Sequence, residues 1–211
     1  MSNRFFITLL VVIALVVGIF AFTKQQKGAE TTAQPTTHTE GSGTSGVVLI
    51  EYGDYECPAC GQYYPVVKQV AEKYKDQITF QFRNLPLVQL HKNAFAGARA
   101  AEAADNQGKF WEMHDLLYEN QQTWSAASNP TTIFVGYAKQ LGLDEAKFQT
   151  DMASQATNDK INADIAESKK LKASATPTFV LEGKKLEQNP SSLDEFNKLI
   201  DAAIKAKQAS Q

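Results

Sequence analysis

Cys57 and Cys60, in the order Cys57-Pro58-Ala59-Cys60, are the only two cysteines of the 211-residue chain. Any intrachain disulfide must join this local pair. A ring closed over two intervening residues removes little unfolded-chain entropy and makes a poor structural staple, so the pair is read as present for its reactivity. Its position supports that reading. Val47 to Tyr52 is a β-rich run ending in the loop signal Gly53-Asp54, and a helical pattern begins at Pro58. Cys57 therefore falls at a helix N-cap, where unpaired backbone N–H groups and the positive dipole end stabilise a thiolate. Thiols so placed have pKa values of roughly 3.5 to 7.5 against about 8.5 for a free thiol, which makes Cys57 a ready nucleophile and a good leaving group. Pro58 suits the first helical position because it has no N–H to leave unsatisfied. Cys60, one turn later, faces inward and can attack a mixed disulfide on Cys57. Zinc offers a competing chemistry, but it wants four ligands. Beyond the two thiols the folded part holds His91 and His114, neither at a second paired spacing, and no metal is expected. Two inert buried cysteines fit a capped helix start less well.

The elements that must position this pair form an α/β pattern. After Pro58, Tyr63, Val66, Val67, Val70 and Tyr74 mark one face of a helix, with a kink expected at Pro65. Ile78 to Phe82 alternates as a second strand. Helical segments then follow over Phe95 to Ala104, Phe110 to Tyr118, Thr131 to Leu141, Asp144 to Met152 and Asn158 to about Lys172. Strand character returns at Thr178 to Leu181, with Lys184 to Leu186 as its hairpin partner across Glu182-Gly183. Ser192 caps a last helix reaching about Lys207. His91 and His114 are expected as hydrogen-bonded structural histidines, and Trp111 and Trp124 as core of the inserted helices.

The N-terminal part has a different composition. Phe5 to Phe22 is an apolar run broken only by Thr8 and Gly18, and as a helix it would span roughly 27 Å, close to the apolar thickness of a bilayer. It exceeds the usual apolar core of a cleaved signal and no clean A-x-A site follows, so residues 1–23 are read as an uncleaved signal-anchor span. Charge does not orient it, since Arg4 precedes it while Lys24 and Lys27 follow. Residues 24–46 are rich in Thr, Gln, Gly and Ser and read as a flexible linker in which His38 is solvated. The folded domain is expected over 47–207. A net charge of -2 gives no reason to expect nucleic-acid binding.

Glu51 to Cys60 (EYGDYECPAC), followed far downstream by Thr176-Pro177-Thr178-Phe179, resembles the thioredoxin superfamily, and the long helical insertion at about 90–173 narrows the resemblance to its DsbA-like branch. Phe82-Arg83-Asn84-Leu85-Pro86-Leu87 leading to His91, then Phe110-Trp111-Glu112-Met113-His114-Asp115, then Leu141-Gly142-Leu143-Asp144 with Phe148, are similar to that branch in the same order. The resemblance implies a thioredoxin fold with an inserted helical domain, preceded here by the transmembrane helix and linker. It implies exchange of disulfides with reduced extracytoplasmic proteins, reoxidation by an integral membrane thiol oxidase, and a domain on the oxidising side of the membrane. It assigns Glu51 as the buried acid that relays protons to and from the inner cysteine, and Pro177 as the cis-proline packed against the disulfide. Thr176 before it, with Pro58 and Ala59, would line the substrate groove. The redox-active pair would be the only cofactor. The strongest oxidants of the branch carry histidine where this chain has Ala59, which removes one source of thiolate stabilisation. Donation of the disulfide is the leading expectation; a reductase or isomerase, or a thioredoxin-like binding module without turnover, are the alternatives.

Overall fold

The computed structural model describes residues 33–210. The apolar run Phe5 to Phe22 lies outside them; among the described residues no helix is long and apolar enough to cross a membrane. A five-stranded sheet in the order β1-β3-β2-β4-β5 is the frame, built from β1 (His38–Glu40), β2 (Val48–Gly53), β3 (Thr79–Asn84), β4 (Thr178–Leu181) and β5 (Lys184–Lys185). Only β2 and β3 run parallel, joined by the helix α1 (Pro58–Tyr74) as a crossover; β1 with β3, β2 with β4 and β4 with β5 are antiparallel. Pro65 lies inside α1 without ending it. The β4–β5 turn uses Glu182 and Gly183, both at positive φ (52° and 74°), the backbone a tight two-residue hairpin needs.

Between β3 and β4 come six helices: α2 (Ala94–Asp105), α3 (Phe110–Glu119), α4 (Gln121–Ser125), α5 (Thr131–Gln140), α6 (Glu145–Ala153) and α7 (Gln155–Lys170). The helix α8 (Leu193–Ala209) closes the fold. Asp144, Ser154 and Ser192 cap α6, α7 and α8 by accepting from the backbone N–H of Lys147, Thr157 and Glu195. α7 thus begins at Gln155 rather than Asn158, and the five-residue α4 was not anticipated, being too short to show a helical period.

One face of the sheet packs Leu49, Phe80 and Phe179 against Val67 and Val70 of α1 and Phe196 and Ile200 of α8. The inserted helices build a second core around Trp124, Phe134, Phe148 and Met113, and this core runs on to Tyr55, Phe82, Cys57 and Cys60. The insertion and the cysteine pair therefore share one apolar body.

The linker expectation is corrected at its C-terminal end. His38–Glu40 is an edge strand paired with β3, in the register His38↔Phe82 and Glu40↔Phe80. The Thr36 N–H and hydroxyl both donate to the buried Asp164 carboxylate at 2.7 Å. His38, expected in solvent, is buried: its ring stacks on Phe110 at 3.5 Å and Nε2 lies 2.7 Å from Glu102 Oε1. A polar segment with almost no apolar residues is ordered here by backbone pairing and by buried carboxylates far away in the sequence, which local composition does not reveal.

Candidate active site

β2 ends one loop short of α1, and that loop delivers the cysteines. Cys57 is the N-cap of α1, in extended conformation (φ -68°, ψ 120°), and Pro58 takes the first helical position. Asp54 shapes the loop. Its carbonyl accepts from Cys57 N–H at 3.1 Å, its Oδ1 accepts from Glu56 N–H at 2.8 Å, and its Oδ2 takes Leu87 N–H at 2.9 Å and lies 2.7 Å from His91 Nδ1. His91 is thus the hydrogen-bonded structural histidine expected of it. The role of Asp54 was not anticipated, since an aspartate in a Gly-Asp loop signal looks like any turn residue.

The two thiols sit in unlike environments. Both are free, Cys57 is 6% exposed and Cys60 is fully buried. The Cys57 thiol is lowered to about 5: the hydrogen bond from Cys60 contributes most, burial opposes it, and the Thr176 side chain and the backbone N–H groups of Cys60 and Ala59 add to it. Burial pushes Cys60 well above the ordinary thiol value, and its hydrogen bond to Cys57 adds to the rise. Asp54 N–H points at Cys60 Sγ from 3.5 Å. One thiol is poised as thiolate and the other is held protonated beside it.

Thr176 and Pro177 come to the same place from the far end of the chain. The Thr176–Pro177 peptide bond is cis, and the Thr176 carbonyl oxygen lies 3.5 Å from Cys57 Sγ. Pro58 is exposed and Ala59 half-buried at the mouth. A groove of about 550 Å³ adjoins them, lined by Pro58, Gly61, Gln62 and residues of α4. Gln121 of α4 holds the loop, its Nε2 donating to the carbonyls of Tyr55 at 2.7 Å and Cys57 at 2.9 Å.

Glu51 lies behind the pair on β2, 3% exposed, opposite Phe82 on one neighbouring strand and Phe179 on the other. Burial raises its carboxyl to about 8, with the negative charge of Cys57 as a second cause. It can therefore hold or release a proton near neutral pH beside Cys60.

Among the described residues the cysteines are not part of any cluster of His, Cys, Asp and Glu side chains close enough to share an ion. Among the described residues, the His, Cys, Asp and Glu side chains close enough together to share an ion are His38, Glu102 and Asp105, whose candidate ligand atoms lie within 4.8 Å of one another. Lys160 Nζ reaches Asp105 at 3.1 Å and Glu102 at 3.6 Å, so that cluster is already neutralised by a lysine and an imidazole.

A thioredoxin family model matches residues 33–202. The chain belongs to the thioredoxin family. Its fold is that of the DsbA-like branch, with the helices inserted between β3 and β4. A thioredoxin-like oxidoreductase from Silicibacter pomeroyi DSS-3 is 27% identical and superposes with a TM-score of 0.68 over 82% of this chain and 94% of that one. BdbD from Bacillus subtilis, in its oxidised form, superposes at 0.68 with 22% identity over 84% and 100% of the two chains. Wolbachia pipientis alpha-DsbA1 superposes at 0.72 with 19% identity over 84% and 96%. Among curated relatives, the Na(+)/H(+) antiporter NhaA 1 of Salinispora arenicola is 38% identical over 148 residues, 70% of this chain but 22% of that protein. The Na(+)/H(+) antiporter NhaA of Herminiimonas arsenicoxydans is 33% identical over 71% of this chain and 23% of its own length. The chain thus spans less than a quarter of the length of these two relatives.

Proposed function

We propose that this thioredoxin-family chain is an extracytoplasmic thiol-disulfide oxidoreductase that donates the Cys57–Cys60 disulfide to reduced proteins, held at the membrane by Phe5 to Phe22. The observation that carries the proposal is the split between the thiols: Cys57 lowered to about 5 at a helix N-terminus, Cys60 fully buried and raised. A substrate thiolate attacks Cys57 Sγ, the Cys57–Cys60 bond breaks, and its electron pair goes to Cys60 Sγ, which takes a proton from Glu51. A second substrate thiolate then attacks the substrate sulfur of the mixed disulfide, forming the substrate's disulfide and releasing Cys57 as the stable thiolate. An integral membrane thiol oxidase takes the two electrons back. Thr176 and Pro177 would present backbone to the bound substrate, with Pro58 and Ala59 at the groove mouth. The redox pair serves as the only cofactor.

The stabilised Cys57 thiolate favours donation over the reductase reading, because it holds the reduced state down relative to the disulfide. Cys57→Ser should abolish exchange, whereas Cys60→Ser should accumulate mixed disulfides with extracytoplasmic proteins. Equal loss without trapped adducts would refute the proposal.

A further inference from the structure

His114 has no part in the exchange just described, yet it is buried behind the site and half of its hydrogen-bonding capacity is unused. Its Nδ1 lies 3.4 Å from the Asp115 carboxylate, while Nε2 is buried with no protein partner. With Asp115 accepting from Nδ1–H, Nε2 is left with a free lone pair. Tyr118, one helical turn on, places its ring 5.0 Å from that of His114, and its hydroxyl is likewise buried without a partner. Two neighbouring orphan groups on one helix face are unusual in a folded core and call for an explanation.

The cavity between them supplies one. Glu51, His114 and Tyr118 line a common space of about 20 Å³, enough for one water molecule. At its outer end stand Glu40 of β1, Lys68 of α1 and Asp115, and these same residues line a broad cleft of about 820 Å³ on the flank of the molecule. Lys68 is eleven residues beyond Cys57, about 16 Å along the helix axis from the substrate mouth.

We propose that His114 and Tyr118, with a water in the cavity they share with Glu51, form a proton conduit from Glu51 to the flank cleft at Lys68 and Asp115. The inference rests on the Glu51 reading and extends it to the path by which that carboxyl exchanges its proton with solvent. When the disulfide is donated, Cys60 leaves as a thiolate and takes the Glu51 proton. The Glu51 carboxylate then regains one from the water, Tyr118 and His114, which are replenished at the cleft. During reoxidation the same proton runs outward. A substrate protein docked over Cys57 covers the front of the site, and the conduit opens elsewhere. The charged and titratable groups facing His114 agree with this role. Asp115 adjoins it, Lys68 and Tyr64 face it from α1, Tyr55 from the active loop, and His38 from β1. Burial outweighs Asp115 and keeps its imidazole below the ordinary value, which favours the neutral ring and lets it pass a proton on rather than hold one.

Single-turnover consumption of the disulfide, in the full-length chain from pH 5 to 9, tests this with two reductants: dithiothreitol, which leaves the front open, and a reduced unfolded polypeptide, which covers it. Tyr118→Phe, which keeps the ring, and His114→Gln should each slow the polypeptide reaction about tenfold, part of the roughly 10²–10⁴-fold that positioned proton transfer is worth, and change its pH profile. Both should leave the dithiothreitol rate within about twofold, since protons then enter past Cys57. Equal slowing with both reductants would mark a structural effect and overturn the conduit. Unchanged rates for both variants, alongside a slow Glu51→Gln, would overturn the conduit and leave the Glu51 reading standing. If Glu51→Gln is also unchanged, both fall.

Discussion

The side-chain amide of Gln121 donates to the carbonyl of Cys57 at 2.9 Å, tying the short helix α4 of the insertion to the residue that caps α1. Gly61 makes room for it, since a Cβ at that position would lie 2.6 Å from Gln121 Oε1. Gln121→Ala should leave the carbonyls of Tyr55 and Cys57 without this donor, costing about 1–2 kcal/mol in stability, and should slow exchange as the loop loosens. Gly61→Ala displaces the same amide while gaining about 1 kcal/mol of helix propensity, so it should slow exchange with little loss of stability. Denaturant titrations and exchange rates of the two variants and their double mutant check this. If the double mutant's rate losses simply add, the two changes do not act through one contact.

Reduction should stabilise the fold in a defined pH window. The lowered Cys57 thiol binds its proton less readily than in the unfolded chain, so its contribution is complete above the ordinary thiol value of 9.0 and is lost as pH falls through about 5. The disulfide form lacks this contribution, having no Cys57 thiol to ionise. The melting temperature of the reduced protein relative to the oxidised one should therefore rise from pH 5 upward. Glu51, whose carboxyl is raised partly by the Cys57 charge, offsets part of this rise up to about pH 8 and no further above it. An oxidised form that melts higher at pH 7 would overturn disulfide donation and favour the reductase reading.

Glu51→Gln separates the proton from the packing. A carboxyl raised from 4.5 to about 8 by burial keeps its proton in the fold while the unfolded chain loses it, so the wild type loses stability across that interval. The glutamine variant should be the more stable one, by a margin that grows from pH 4.5 to 8. Its exchange should be slower by about tenfold or more, because a general acid has been removed. Equal stability at pH 5 and pH 8 would mean the carboxyl is not held protonated.

What the sequence made legible follows from how local each signal is. Cys57 at the N-cap, Pro58 at the first helical position and the hairpin at Glu182-Gly183 are short-range features, and all three stand where the sequence puts them. Glu51, Thr176 and Pro177 needed the family resemblance, since nothing in a β-rich run says that a carboxylate faces two phenylalanines. His38 and Gln121 were missed for a third reason. Both are polar residues whose partners lie far away in the sequence, Glu102 for the first and the Cys57 carbonyl for the second. Polar composition carries no period that betrays such pairing.

His38 gives the last test, of whether the segment before β2 is part of the folded domain. Its imidazole is buried between Phe110 and the carboxylates of Glu102 and Asp105. Burial alone would lower its pKa, but hydrogen bonds to Asp105 and Glu102 outweigh it and raise the group to about 9. A raised value contributes stability that is complete below the ordinary 6.5 and is lost as pH rises through about 9. Asp105, lowered to about 2 chiefly by its bond to His38, adds the acid limit: that contribution is complete above its ordinary 3.8 and is lost as pH falls through about 2. His38→Gln should therefore destabilise the domain most between about pH 4 and 6.5, and less as pH approaches 9. Removing one partner of a buried pair costs about 3–5 kcal/mol, and the lower end is expected because Lys160 still reaches both carboxylates. Denaturant unfolding of wild type and variant at pH 5, 7 and 9 reads the difference directly. A loss that is the same at all three values would show that the ring serves only by stacking on Phe110 and that β1 is not held by charge.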